Sequence, residues 1–188
     1  MSEQQNMIPG GKEVIDSLKL LGKLGIEEKM QVADLGCGRR GYFSLQAAKL
    51  VGDLGQVYAV DVLKPALENV RSMANLFGVA NIKTVWADLE VFGGTKIPDQ
   101  SVDLTMINNV LFQTDKDDLI IKEAVRILKT KGKLLVTEWK KIKTPFGPPT
   151  ENRVNPEEIK TIAKSCGLSL LQEFEAGPYH YSLIFAKK

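Results

Sequence analysis

Residues 34 to 41 read DLGCGRRG, an acidic residue two positions ahead of a loop whose Gly36, Gly38 and Gly41 satisfy the GxGxxG spacing of nucleotide-binding turns. Glycines at that spacing let backbone approach a ligand closely and open a helix whose amino terminus faces it. Two further carboxylates follow apolar runs at Asp61 and Asp88. Charge separates the ligands such a loop can take. A dinucleotide would set its pyrophosphate against Asp34, where like charges in a partly desolvated site repel. S-adenosylmethionine (SAM) presents an ammonium and a sulfonium at the same place, and a carboxylate there attracts. Asp61 serves either ligand, because a carboxylate after the second strand accepts hydrogen bonds from ribose hydroxyls in both cases.

Other reactive residue types are sparse. His180 is the single histidine, between two tyrosines, and reads either as a general base or as a hairpin residue with polar partners or solvent. Glu138 and Trp139 end an apolar run on the ligand side, placed to orient an acceptor or stack on it. Cys37 reads as a small side chain packed in the glycine loop, with nothing adjacent in sequence to lower its pKa. Cys37 and Cys166 match neither a disulfide nor a metal-ligand spacing, so no metal is expected and a reducing compartment is. Lys140, Lys141 and Lys143 read as a solvated surface or as attraction for an anionic acceptor.

These residues need a scaffold, and the pattern supplies one: strand-length apolar runs alternate with segments of helical period, which builds a mostly parallel, Rossmann-like sheet with helices on both faces. The period predicts a first helix over Lys12 to Leu24 with Val14, Ile15, Leu18 and Leu21 inward. Strands follow at Gln31 to Leu35, Gln56 to Val60, Ile82 to Ala87, Val102 to Ile107 and Lys133 to Glu138. Between them lie a helix with Phe43, Ala47, Leu50 and Val51 inward, and one that begins near Pro65 and buries Leu67, Val70, Met73, Ala74 and Phe77 before Gly78. A third is capped by Asp115 and ends near Lys129. Trp139 to Pro156 holds four prolines and no period, so it reads as an ordered lid or substrate loop. After a helix over Glu157 to Cys166, the runs Leu168 to Phe174 and Tyr181 to Ala186 are too close for a parallel crossover and must form an antiparallel hairpin, the end of a seven-stranded sheet.

Taken in order, VADLGCG, VYAVDV, VWADLE, VDLTMINNVLF and LKTKGKLLVTEW resemble the successive motifs of the class I SAM-dependent methyltransferases, over about residues 12 to 140. Among its branches the chain is similar to the small-molecule enzymes of ubiquinone and menaquinone biosynthesis. The resemblance implies that Asp34, Gly36 and Gly38 face the methionine part of SAM, Asp61 the ribose, Val62 and Leu89 the adenine ring, Asp88 its amino group, and that Asn108 lies near the methionine ammonium and the acceptor. S-adenosylhomocysteine would be the product and a small molecule the acceptor. Arg39 and Arg40 depart from the family's single spacer and lengthen the loop tip by one residue. Thr130-Lys131-Gly132 lacks the usual Pro-Gly-Gly turn, with only a local consequence expected. Two competing readings are an NAD-dependent oxidoreductase using GCGRRG as a phosphate loop and a non-catalytic SAM-binding domain.

Composition bounds the rest. A chain of 188 residues, 44% hydrophobic and 26% charged, suits one domain. A net charge of +2 gives no footprint for tracking nucleic acid, and an RNA methyltransferase is the weaker alternative. With no apolar leader and no run of about 18 apolar residues, a cytoplasmic protein without a membrane span is expected. Oligomeric state is not readable.

Overall fold

A computed structural model describes residues 15–188. Its seven strands are β1 (Gln31–Leu35), β2 (Gln56–Asp61), β3 (Ile82–Trp86), β4 (Val102–Asn108), β5 (Leu128–Trp139), β6 (Leu168–Glu175) and β7 (His180–Lys187). Five α-helices accompany them: α1 (Ser17–Leu24), α2 (Tyr42–Val51), α3 (Lys64–Leu76), α4 (Asp117–Ile127) and α5 (Pro156–Ser165). The strand order is β3-β2-β1-β4-β5-β7-β6, parallel through β5 and antiparallel in the closing hairpin. The order reverses between β1 and β4, so the crevice at the carboxyl ends of these strands is where this architecture takes a ligand.

Burial follows the expected two-sided pattern of a parallel sheet. On one face α4 and α5 pack Ile121, Ala124 and Ile159 onto Leu35, Ile107 and Leu134. On the other, α1 and α2 pack Leu21, Leu24 and Ala47 onto Val32, Met106 and Leu135. Among the described residues no helix is long and apolar enough to cross a membrane.

Several local expectations are corrected. Lys12 to Val14 lie outside the described residues, and α1 starts at Ser17 because the Asp16 carboxylate caps it, accepting from the Lys19 N–H at 3.2 Å. Its buried face is Leu20, Leu21 and Leu24, while Leu18 points to solvent. Leu50 and Phe77 are likewise exposed, with Lys49 lying over the Phe77 ring. Asp115 does not cap α4; that helix opens at Asp117 with no side-chain cap, and the residue before it is held by the Thr114 hydroxyl accepting from the Lys116 N–H at 3.0 Å. β5 begins at Leu128, immediately after α4, and reaches Lys133 through a register shift in which Lys131 takes a left-handed φ of 64°. That conformation does without the missing Pro-Gly-Gly turn.

The loop between β3 and β4 is clamped by a buried charge cluster. Glu123 on α4 is fully buried and accepts from the Gly93 N–H at 2.8 Å, from Thr95 and from Arg126. Burial pushes its carboxyl up, but these hydrogen bonds outweigh that and hold it down at about 2. Removing one partner of a buried pair strands the other. Glu123→Ala should therefore destabilise the fold by about 3–5 kcal/mol, seen in a thermal melt as a loss of roughly 6–20 °C for a domain of this size.

Candidate functional site

A cleft of about 580 Å³ opens at the carboxyl edge of the sheet, in the size range of small-molecule sites. The expected residues Asp34, Gly36, Gly38, Asp61, Val62, Asp88, Leu89 and Asn108 all line it, and so do Trp139 and His180. Glu138 does not.

The glycine loop is built from β1 outward. The N–H groups of Gly36 and Cys37 both donate to the Val60 carbonyl at 2.9 Å, turning the chain across the end of β2. Gly36 has φ 81°, and a Cβ there would fall 2.4 Å from a Val110 methyl, so the position admits no side chain. Gly38 has φ 64° and nothing within 4 Å of where its Cβ would be, which leaves open space beside exposed backbone. Asp61 ties the loop down: its Oδ2 accepts from the Gly38 N–H and its Oδ1 from the Leu63 N–H, each at 2.9 Å. Each carboxylate oxygen retains lone-pair capacity for another donor.

Asp34 is buried at the end of β1 and accepts from the Ser44 hydroxyl at 2.6 Å. Burial pushes its carboxyl up to about 6, the Asp61 charge adds to the rise, and the Ser44 hydrogen bond opposes it. Ser44 escaped the sequence reading, although a hydroxyl in the first turn of the helix after the loop is placed to face back to β1. Among the described residues neither Asp34 nor Asp61 is in an ion pair. Burial likewise pushes the Cys37 thiol far up, with Asp34 and Asp61 adding, which disfavours the thiolate.

Beyond the ends of β2 and β3, Val62 is exposed and Leu89 buried, giving an apolar rim, and the exposed Asp88 accepts from the Glu90 N–H at 2.9 Å. Arg39 and Arg40 are exposed at the loop tip and line the cleft. Near Asp34, at the end of β4, the Asn108 amide opposes the rise of that carboxyl, and by strict geometry its buried nitrogen and oxygen have no hydrogen-bond partner among the described residues. Thr114, Ile120 and Ile15, none of them anticipated as site residues, also line the cleft.

Glu138 has a role other than the expected acceptor contact. It is fully buried, and its Oε1 accepts from the N–H groups of Val110 and Leu111 at 2.7 Å each. The turn after β4 is thereby fixed with Asn109 in a left-handed conformation, φ 56°, and Val110 pressed on Gly36. Burial pushes the Glu138 carboxyl up to about 8, against lowering by those two N–H groups.

Comparison with known proteins agrees with this geometry. A family model described as a methyltransferase domain matches residues 26–173. The chain is 34% identical over 145 residues to the ubiquinone/menaquinone biosynthesis C-methyltransferase UbiE of Haemophilus ducreyi, covering 77% of this chain and 53% of that protein. It is 40% identical over 79 residues to a probable cobalt-precorrin-6B C(15)-methyltransferase of Saccharolobus solfataricus, covering 42% of this chain and 39% of that one. The chain thus spans about half the length of the curated relatives it matches, or less. Among solved structures, a SAM-dependent methyltransferase from Aquifex aeolicus superimposes with a TM-score of 0.87 at 25% identity, over 96% of this chain and 94% of that one.

Two predictions follow from the site's titrating and hydrogen-bonding groups. Because Asp34 titrates at about 6 when folded against an ordinary 3.8, the folded state binds more protons in that window and stability falls as pH rises through it. The share of this one group is about 3 kcal/mol, so denaturant melts of Asp34→Asn at pH 4 and 7 should show a flatter dependence than wild type. Glu138→Leu should strand one buried and one part-buried N–H group and lower stability by about 1–3 kcal/mol for the buried one and less for the other, read in a thermal melt, while Glu138→Gln, which keeps an acceptor, should recover most of that. The family match, the strand order and the carboxylate-lined glycine loop converge: the chain belongs to the class I SAM-dependent methyltransferases.

Proposed function

We propose that this chain transfers a methyl group from SAM to a small-molecule acceptor, releasing S-adenosylhomocysteine. The observation that carries the reading is the pair of buried, unpaired carboxylates, Asp34 and Asp61, beside the open backbone of Gly38. A cationic ligand gains from both carboxylates, whereas a pyrophosphate at the same loop would be repelled. In this reading Asp34 and Asn108 hold the methionine ammonium, Asp61 the ribose hydroxyls, Val62 and Leu89 the adenine faces, and Asp88 its amino group. Arg39 and Arg40 are at hand for the methionine carboxylate. When bound, SAM supplies a methyl group already activated on a sulfonium, so the chain's own task is alignment and exclusion of water.

The acceptor side is the wall made by Trp139 and His180, backed by the segment from Trp139 to Pro156. That segment is ordered by its own contacts. Arg153 is buried and donates to the carbonyls of Lys140 at 2.9 Å, Ile142 at 2.6 Å and Pro148 at 2.8 Å, and its guanidinium lies over the Trp139 ring. The names of the matched relatives, UbiE C-methyltransferases and a cobalt-precorrin methyltransferase, support a small organic acceptor. The three lysines do not line the cleft, and Lys140 is engaged by Glu175 at 2.8 Å.

A ligand comparison tests the reading. At about 100 times its dissociation constant, SAM or S-adenosylhomocysteine should add roughly 2.7 kcal/mol and raise the melting point by roughly 5–11 °C, and NAD at the same concentration should not. Asp61→Ala should abolish most of that rise while the protein stays folded. A shift with NAD alone would overturn the assignment, and a shift with SAM but no transfer to any acceptor in a broad panel would favour the non-catalytic binding domain.

A further inference from the structure

The acceptor end of the cleft contains a polar group that nothing among the described residues satisfies. Because β7 runs antiparallel to β5, its first residue lies at the sheet's carboxyl edge, and the register pairs His180 with Trp139. The two rings lie side by side, centroids 4.1 Å apart. His180 lines the cleft yet is fully buried, and among the described residues neither Nδ1 nor Nε2 has a hydrogen-bond partner. Buried polar atoms left unpaired carry a desolvation cost, so such atoms in a binding cleft mark a place where the ligand supplies the partner. The rings beside it are apolar: Trp139 lies against His180 and against Phe146, which packs in a cluster with Ile15 and Phe43.

The ring's charge state limits what that ligand can be. Burial pushes the imidazole down to about 4, and the positive charges of Arg153 and Lys140 push it the same way. At neutral pH His180 is therefore uncharged, with one donor and one acceptor nitrogen, and holds a proton too weakly to serve as a general base for a reluctant hydroxyl. We propose that His180 is the acceptor-recognition residue, hydrogen-bonding an uncharged polar atom carried on an otherwise apolar acceptor. This rests on the cofactor assignment above and deepens it. The same group then orients the acceptor without taking its proton, and the chemistry suits a nucleophile that needs no base at the moment of transfer.

The test uses protein saturated with S-adenosylhomocysteine and three probes of nearly equal shape: indole, which donates a hydrogen bond, 1-indanone, which accepts one, and indene, which does neither. Whichever nitrogen of the neutral ring faces the cleft, one polar probe is served. That probe should bind at least about fivefold tighter than indene, the effect of one net hydrogen bond. Since His180 is the only histidine of the chain, its imaging by imidazole 15N resonance is unambiguous, and the preferred probe should move that signal. His180→Phe should remove the preference while S-adenosylhomocysteine still binds; if that variant does not fold, the wild-type signal decides. Failure of S-adenosylhomocysteine to bind would overturn the cofactor assignment. Its binding, with equal or no affinity for the three probes, an unmoved 15N signal, or a preference that survives His180→Phe, would overturn the role of His180 alone.

Discussion

One carboxylate holds the two loops that make the cleft. Asp61, at the end of β2, takes the N–H of Gly38 on one oxygen and that of Leu63 on the other, so the turn after β1 and the entry to α3 are fixed to a single planar group. The arrangement works because β1 and β2 are parallel neighbours in register, ending side by side. Charge-assisted hydrogen bonds of this kind are short and directional. They set the spacing between exposed backbone and carboxylate oxygens before any ligand arrives, which reduces the ordering that binding must supply.

The opposite side of the cleft depends on strand alternation. Successive side chains of β5 point to opposite faces, so Glu138 and Trp139 are neighbours in sequence with separate tasks. Glu138 faces α4 and holds the turn carrying Asn108, Asn109 and Val110. Trp139 faces the other way, toward His180, Phe146 and the Arg153 guanidinium. The cleft is thus stiffened from behind the turn after β4 by the buried Glu138 side chain and, beside β7, by a cluster of rings.

Much of this was legible in the sequence because it depends on period and on glycine. The strands, the terminal hairpin and the place of Asp34, Asp61 and Asp88 at the ends of apolar runs all follow from rules that act over a few residues. What was not legible depends on contacts between distant segments. Leu18 and Leu20 are both compatible with a helical stripe, and only packing with Ile15 and the distant Ala176 decides that Leu20 is the one buried. Phe77 and Leu50 continue the period of their helices past the edge of the sheet. Glu138 reads as a ligand-side carboxylate until β4's following turn, 28 residues away in the chain, is seen to donate to it. Ser44 beneath Asp34 is a contact of the same sort.

The guanidinium of Arg153 faces carbonyls and one hydroxyl of residues 140 to 148 and has no carboxylate partner. A cation satisfied by the dipoles of its own neighbourhood makes that stretch a closed ring rather than an open strap. Outward side chains on such a ring are free to vary, since the acceptors are backbone, but adding or deleting a residue would misalign several carbonyls together. Divergence of this stretch should therefore proceed by exchange of side chains at constant loop length.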